Sequence, residues 1–171
     1  MKQKNYFFIC LIAIFITSYS CSTVSDSSDN YSYLSSSYSS PLVLRINSED
    51  FKTINTNRLK SIYTGDSFKI NSVEKIDDIL EVSVSYGGGC KQHSFEIIWD
   101  GIVYTDAPSN INLFIIHDAK NDNCEALVTE SLSINLKDLI GDNTYKDSCI
   151  YNIFTSYNTS NTADFSIEGS N

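Results

Sequence analysis

Basic residues are scarce in this chain: 12 Lys and Arg stand against 21 Asp and Glu among 171 residues, a formal net charge of −9. Without a basic face, nucleic acid is excluded as a natural partner, because binding phosphates needs clustered cations. Attraction to anionic headgroups is excluded for the same reason, so any membrane attachment has to come from a lipid. The chain also lacks a long apolar run. Its most hydrophobic stretch, residues 6–16 (YFFICLIAIFI), is too short to cross a bilayer as a mature helix. No internal repeat and no sustained helical stripe can be drawn through the sequence, which excludes solenoids and helical bundles.

What is present begins with an address. Lys2 and Lys4 precede the apolar run, the shape of a secretory signal over residues 1–20. Removing it leaves 10 basic residues against 21 acidic ones, a net charge of −11 for the mature chain. The segment Thr17-Ser18-Tyr19-Ser20-Cys21 resembles the lipobox of bacterial lipoproteins, in which a small residue precedes a cysteine whose thiol receives a diacylglycerol. Ser20 and Cys21 match that pattern, whereas Ser18 and Tyr19 stand where the family carries an aliphatic and a small residue. The resemblance implies lipidation of Cys21 and a place in the cell envelope. Cleavage without lipidation, giving a secreted protein, is the alternative that Ser18-Tyr19-Ser20 also permits.

Residues 21–40 are rich in serine and almost free of aliphatic side chains, so they cannot offset their own ordering entropy and read as a flexible stalk. From Pro41 the composition changes, and residues 41–156 hold enough Phe, Tyr, Ile, Leu and Val for one compact core. Leu42–Ile46 is the first expected strand. Phe51, Ile54, Leu59 and Ile62 fit either an irregular amphipathic turn or a long loop. Phe68–Lys75 and the alternating Leu80, Val82, Val84 and Tyr86 read as an antiparallel hairpin around Asp77-Asp78. Phe95, Ile97 and Trp99 alternate again, and Asp100-Gly101 supplies a turn before Ile102–Tyr104.

Ile111–Ile116 is apolar on both faces apart from Asn112, as befits a central strand. Asp118–Asn123 is expected to be a hairpin loop returning through Ala126, Val128, Leu132, Ile134 and Leu136. Cys149–Thr155 is a late strand, and residues 157–171 form a tail in which Phe165–Ile167 can add an edge strand. Short strands between turn signals predict an all-β domain, a single antiparallel β-sandwich or a small barrel.

Both histidines and two cysteines fall in two short segments, Gly87-Gly88-Gly89-Cys90-Lys91-Gln92-His93 and His117 to Cys124. Three arrangements compete. An exported compartment allows a Cys90–Cys124 disulfide, the preferred reading, with Cys149 left unpaired. Cys90, His93, His117 and Cys124 have the ligand types of a zinc site, although their spacing is not a familiar zinc pattern. In the third arrangement the histidines are hydrogen-bonded structural residues and the thiols stay separate. A thiol enzyme with Cys90 as nucleophile and His93 or His117 as base can be written, but a disulfide would disable it.

The three glycines are not a phosphate loop, since no Gly-Lys-Ser/Thr follows; they suit a bulge or a positive φ. Asp118, Asp122 and Glu125 depart from the calcium-loop spacing and read better as an Asx-rich turn. The pattern Gly-Gly-Cys-x-x-His-x-Phe, then His-Asp-Ala and Cys-Glu-Ala, resembles exported bacterial domains of no assigned function. That resemblance covers residues 80–136 and implies one fold unit holding both segments. The sequence therefore predicts a lipid-anchored envelope protein with a non-catalytic binding or structural domain, no catalytic residues and no cofactor. The alternative is a metal-dependent or thiol enzyme on the Cys90/His93/His117/Cys124 cluster.

Overall fold

The computed structural model describes residues 40–141 and 144–169; the expected signal segment, Cys21 and the stalk up to residue 39 lie outside the described residues. The strands are β1 (Leu42–Ile46), β2 (Lys69–Ile76), β3 (Ile79–Gly88), β4 (Ser94–Trp99), β5 (Asn110–Asp118), β6 (Ala126–Asn135), β7 (Ile150–Thr155) and β8 (Phe165–Glu168). Two helices, α1 (Ser48–Arg58) and α2 (Leu136–Ile140), and a 3-10 turn at Thr144–Asp147 complete the described elements. Among the described residues, no helix is long and apolar enough to cross a membrane.

The protein is mostly β, built as two sheets: a five-stranded one in the order β1-β4-β5-β7-β8 and a three-stranded one in the order β2-β3-β6. Neither closes into a barrel. The expectation of a purely antiparallel architecture is corrected, because β1 pairs with β4, and β5 with β7, in parallel. Parallel neighbours need a crossover connection. Here α1 and the β2–β3 hairpin separate β1 from β4, while β6, α2 and the 3-10 turn separate β5 from β7.

Period-two alternation positions the core. Leu80, Val82, Val84 and Tyr86 of β3 are buried, as are Ile97 and Trp99 of β4, Leu113 and Ile115 of β5, and Ile134 of β6, and all share one hydrophobic cluster drawn from both sheets. β5 lies between β4 and β7 and is buried on both faces. Its alternate residues Phe114 and Ile116 belong to a second cluster with Ile98, Phe154 and the helix residues Phe51 and Ile54. Each such fully buried side chain contributes roughly 1.5–3 kcal/mol relative to exposure.

The segment left open between turn and loop is a helix. Asn47 caps it, its Oδ1 accepting from the N–H of Glu49 and Asp50, and the acidic first turn suits the positive end of the helix dipole. Its buried face runs Phe51, Ile54, Arg58, whereas Leu59 and Ile62 are exposed. A second correction concerns Asp118–Asn123, which joins β5 to β6 across the two sheets and is not a hairpin loop. β6 returns instead alongside β3, from Gly88↔Ala126 to Ile79↔Asn135. Residues 102–104 contribute only an isolated bridge, Tyr104 to Asn110.

Candidate functional site

Two connections cross between the sheets at one end of the molecule. β3 leaves its sheet through Gly87–Gly89 and Cys90 to reach β4, and β5 leaves through Asp118–Asn123 to reach β6. The pairings Gly88↔Ala126 and Ser94↔Asp118 hold their ends side by side. Cys90 and Cys124 form a disulfide across them, with Cα atoms 5.9 Å apart.

Asp122 ties the same crossing. Its Oδ2 accepts from the backbone N–H of Cys90 and of Lys91, both at 2.9 Å, and its Oδ1 accepts from the N–H of Cys124 at 3.0 Å. The last of these is the expected Asx turn, and Asp118 makes another by accepting from the N–H of Lys120. Lys91 closes the clasp by donating from Nζ to the carbonyls of Lys120 and Asn121. These donors, the Cys124 amide first, hold the Asp122 carboxyl well below the usual range against the opposing effect of burial.

The histidines extend this network into the core. His93 Nδ1 lies 2.8 Å from His117 Nε2, and His93 Nε2 lies 3.2 Å from Asp122 Oδ2. An ionised carboxylate only accepts, so His93 carries its proton on Nε2 and, when neutral, accepts at Nδ1 from His117 Nε2–H. That leaves His117 Nδ1 buried with no hydrogen-bond partner of good geometry among the described residues. Burial, followed by the neighbouring His93, pushes the His117 pKa below its ordinary value, against the weaker opposite effect of the Ser67 and Asp66 backbone.

Aromatic rings close round the pair. Tyr86 stacks on His93 with centroids 4.5 Å apart, and Phe95 stacks on His117 at 4.6 Å. The Tyr86 hydroxyl donates to Glu130, which also accepts from the backbone and side chain of Ser40. Burial, before any other cause, pushes the Tyr86 hydroxyl up to about 12.

All four residues singled out in sequence are thus gathered in one place. With both sulfurs in a disulfide, Cys90 has no thiolate to act as a nucleophile, and neither cysteine offers the thiolate that zinc needs. Donor atoms of Cys90, Asp122 and Cys124 lie within 4.8 Å of one another because the disulfide and the clasp bring them there. The row Asp122–His93–His117 ends in the core: a Cβ on Gly65 would stand 2.4 Å from the His117 carbonyl oxygen, so the 65–66 loop covers that residue closely. An open pocket of about 500 Å³ beside Tyr86, Lys91, Gln92 and Val128 borders His93, yet the His93 side chain has no exposed surface. Cys149 is a free, buried thiol whose pKa is raised by burial.

Sequence reasoning placed Asp122 in a turn and missed that its carboxylate organises the crossing. The signal was the Asp two residues before Cys124, the spacing at which an Asx turn takes a backbone N–H.

No protein-family model and no curated protein matches the chain. Among solved structures it is similar to a NigD-like immunity protein from Bacteroides caccae, at 18% identity and a TM-score of 0.45. It is also similar to a protein described as toxin-related from Parabacteroides distasonis, at 19% and 0.45. A protein of unknown function from Bacteroides vulgatus gives 14% and 0.47. The matches cover 75%, 75% and 77% of this chain but only 58%, 58% and 56% of those chains, less than two thirds of each.

Proposed function

We propose that the chain is exported, that a lipid on Cys21 holds it to a membrane of the bacterial envelope, and that its β domain is a sandwich serving in binding or structure rather than catalysis. The observation that carries this reading is the Cys90–Cys124 disulfide, which joins the β3–β4 and β5–β6 crossings between the sheets. Such a bridge suits an oxidising compartment outside the cytosol. The burial of both histidines against each other and against Asp122 supports a structural role for the cluster. In this reading residues 1–20 are removed and residues 21–39 form the tether, because Ser40, expected at the end of the stalk, is buried and held by Glu130.

Peptide mapping of the exported protein under non-reducing conditions, with zinc analysis of the same sample, tests the proposal. The expected result is a diacylglyceryl-modified Cys21, a Cys90–Cys124 bridged peptide, Cys149 as a free thiol, and no stoichiometric zinc. Free thiols at Cys90 and Cys124 with bound zinc would overturn the non-catalytic reading. An unmodified N-terminal Cys21 would overturn the anchor.

A further inference from the structure

The outer face of the five-stranded sheet carries a second polar site, away from the histidines. α1 lays Phe51, Ile54 and Arg58 onto this face, where Phe114 and Phe154 form an aromatic floor. Arg58 is 3% exposed, and its guanidinium sits 5.2 Å from the Phe114 centroid and 4.9 Å from that of Phe154. Its Nε donates to Asn55 Oδ1 at 2.9 Å, and its Nη1 donates to the carbonyls of Asn158 and Ser160. All of these acceptors are neutral. Among the described residues, no carboxylate lies within ion-pair distance of Arg58 and its Nη2 makes no hydrogen bond. Asp164 acts on it only from farther away, and its carboxylate already accepts the Thr155 N–H. A buried charge ordinarily has a partner.

Beside this cation lies a cavity of about 420 Å³, lined among others by Asn55, Tyr104, Asn112, Asn152 and Asn161. That volume is in the usual small-ligand range of roughly 300–1,000 Å³. No Asp or Glu lines it, although the chain has 21 of them. Internal bonding has also used up amide oxygens. Asn55 Oδ1 is held by Arg58, so its Nδ2 is left as a donor. Asn112 Oδ1 accepts from Asn152 Nδ2 at 3.0 Å, and Asn152 Oδ1 accepts from Ser166 at 2.7 Å, which leaves Asn112 Nδ2 as a donor too. Tyr104 donates its hydroxyl proton to Asp100, so its oxygen remains an acceptor at the rim.

We propose that this cavity binds a small carboxylate bearing hydroxyl groups, of the sugar-acid class, with its carboxylate on Arg58 Nη2 and Asn55 Nδ2 and a hydroxyl on Tyr104. The inference rests on the binding reading above and gives it a ligand chemistry. It uses none of the residues on which the disulfide and Cys21 tests depend, so the two can fail separately.

The test is a nitrogen-15 NMR titration of the full exported chain with D-glucuronate, and with D-glucose as the neutral counterpart. Glucuronate is expected to move the side-chain amides of Asn55 and Asn112 in a saturable way, with glucose at least about tenfold weaker, the loss of one charged hydrogen bond. Arg58 also pins residues 158–160, so replacing it tests folding as well as binding. Asn55→Asp is the cleaner variant, because it keeps an oxygen for Arg58 Nε and sets a negative charge beside the carboxylate position. It should remain folded and bind glucuronate about tenfold or more weakly. Absence of saturable shifts with glucuronate, equal binding of glucose, or unchanged affinity in folded Asn55→Asp would each overturn the proposal.

Discussion

His93 Nδ1 and His117 Nε2 share one hydrogen bond inside the core, 2.8 Å long, and the carboxylate of Asp122 beyond His93 fixes which ring donates. A proton taken up by His117 would go to Nδ1, the ring nitrogen with no partner, and leave Nε2–H donating to His93. The groups facing the pair are Asp122, Tyr86, Phe95, Phe68 and the backbone of Asp66 and Ser67.

Acidification through the histidine range is expected to weaken the fold. His117 is held below its ordinary value of 6.5 in the folded protein, so the unfolded chain takes up a proton first. Its contribution is complete above about 6.5 and declines as pH falls below that value toward the folded pKa. Urea denaturation at pH 8, 6.5 and 5 should show this loss. His117→Gln, which keeps a donor for His93 but does not titrate, should flatten it; an equally steep dependence in the variant would place the titration elsewhere.

Gly88 is required by the His93 ring. It sits at φ +154°, and a Cβ there would stand 2.5 Å from His93 Cε1 and 2.7 Å from Nε2, whereas a Cβ on Gly87 meets nothing within 4 Å. Gly88→Ala should cost on the order of 2 kcal/mol or more, while Gly87→Ala should stay within about 0.5 kcal/mol of the parent. Paired denaturant curves measure both, and equal effects would refute the steric account.

Reduction of the Cys90–Cys124 bridge should lower stability by about 4 kcal/mol, the chain-entropy value for a separation of 34 residues. Cys90→Ser with Cys124→Ser should match the reduced protein in thermal melting. Asp122 would still hold the crossing through its three backbone bonds, so native-like near-ultraviolet circular dichroism should persist at low temperature.

A separate acid response belongs to the opposite end. Asp78 pairs with Lys137 at 2.7 Å and Lys146 at 2.6 Å, and the lysines, Lys137 first, lower its pKa to about 2 from 3.8. The folded carboxylate holds its charge longer than the unfolded one. The contribution is therefore present above about 3.8 and lost as pH falls toward about 2. Asp78→Asn should reduce the change in unfolding midpoint between pH 4 and pH 2, in a window that His117→Gln leaves alone.

Much of this fold was legible because strand patterns are local. The alternation of Leu80 to Tyr86 and the doubly apolar run Ile111–Ile116 mark a half-buried and a central strand, and the structure places them so. Which sheet each strand joins was not legible. A run such as Ala126–Asn135 reads the same whether it pairs with the preceding strand or with β3, and only packing of the two faces decides. The helix at Ser48–Arg58 was obscured because Arg58, a charged residue, completes the buried stripe that Leu59 was expected to continue. In the cluster, residue types pointed to the Cys90–Cys124 bridge, which forms. Of Asp122's bonds, only the Asx turn to Cys124 has a sequence signature; those to the amides of Cys90 and Lys91 reach across to another connection and have none.

Cys149 bears on the order of events during maturation. Three cysteines in the domain could pair in three ways, yet the folded protein keeps this sulfur wholly inside, where its raised pKa suppresses the reactive thiolate. An oxidant that arrives after packing finds one accessible couple, and one that arrives earlier finds all three. Cys149 can enter a scrambled pair only while the core is unpacked, so packing ahead of oxidation favours the Cys90–Cys124 bridge.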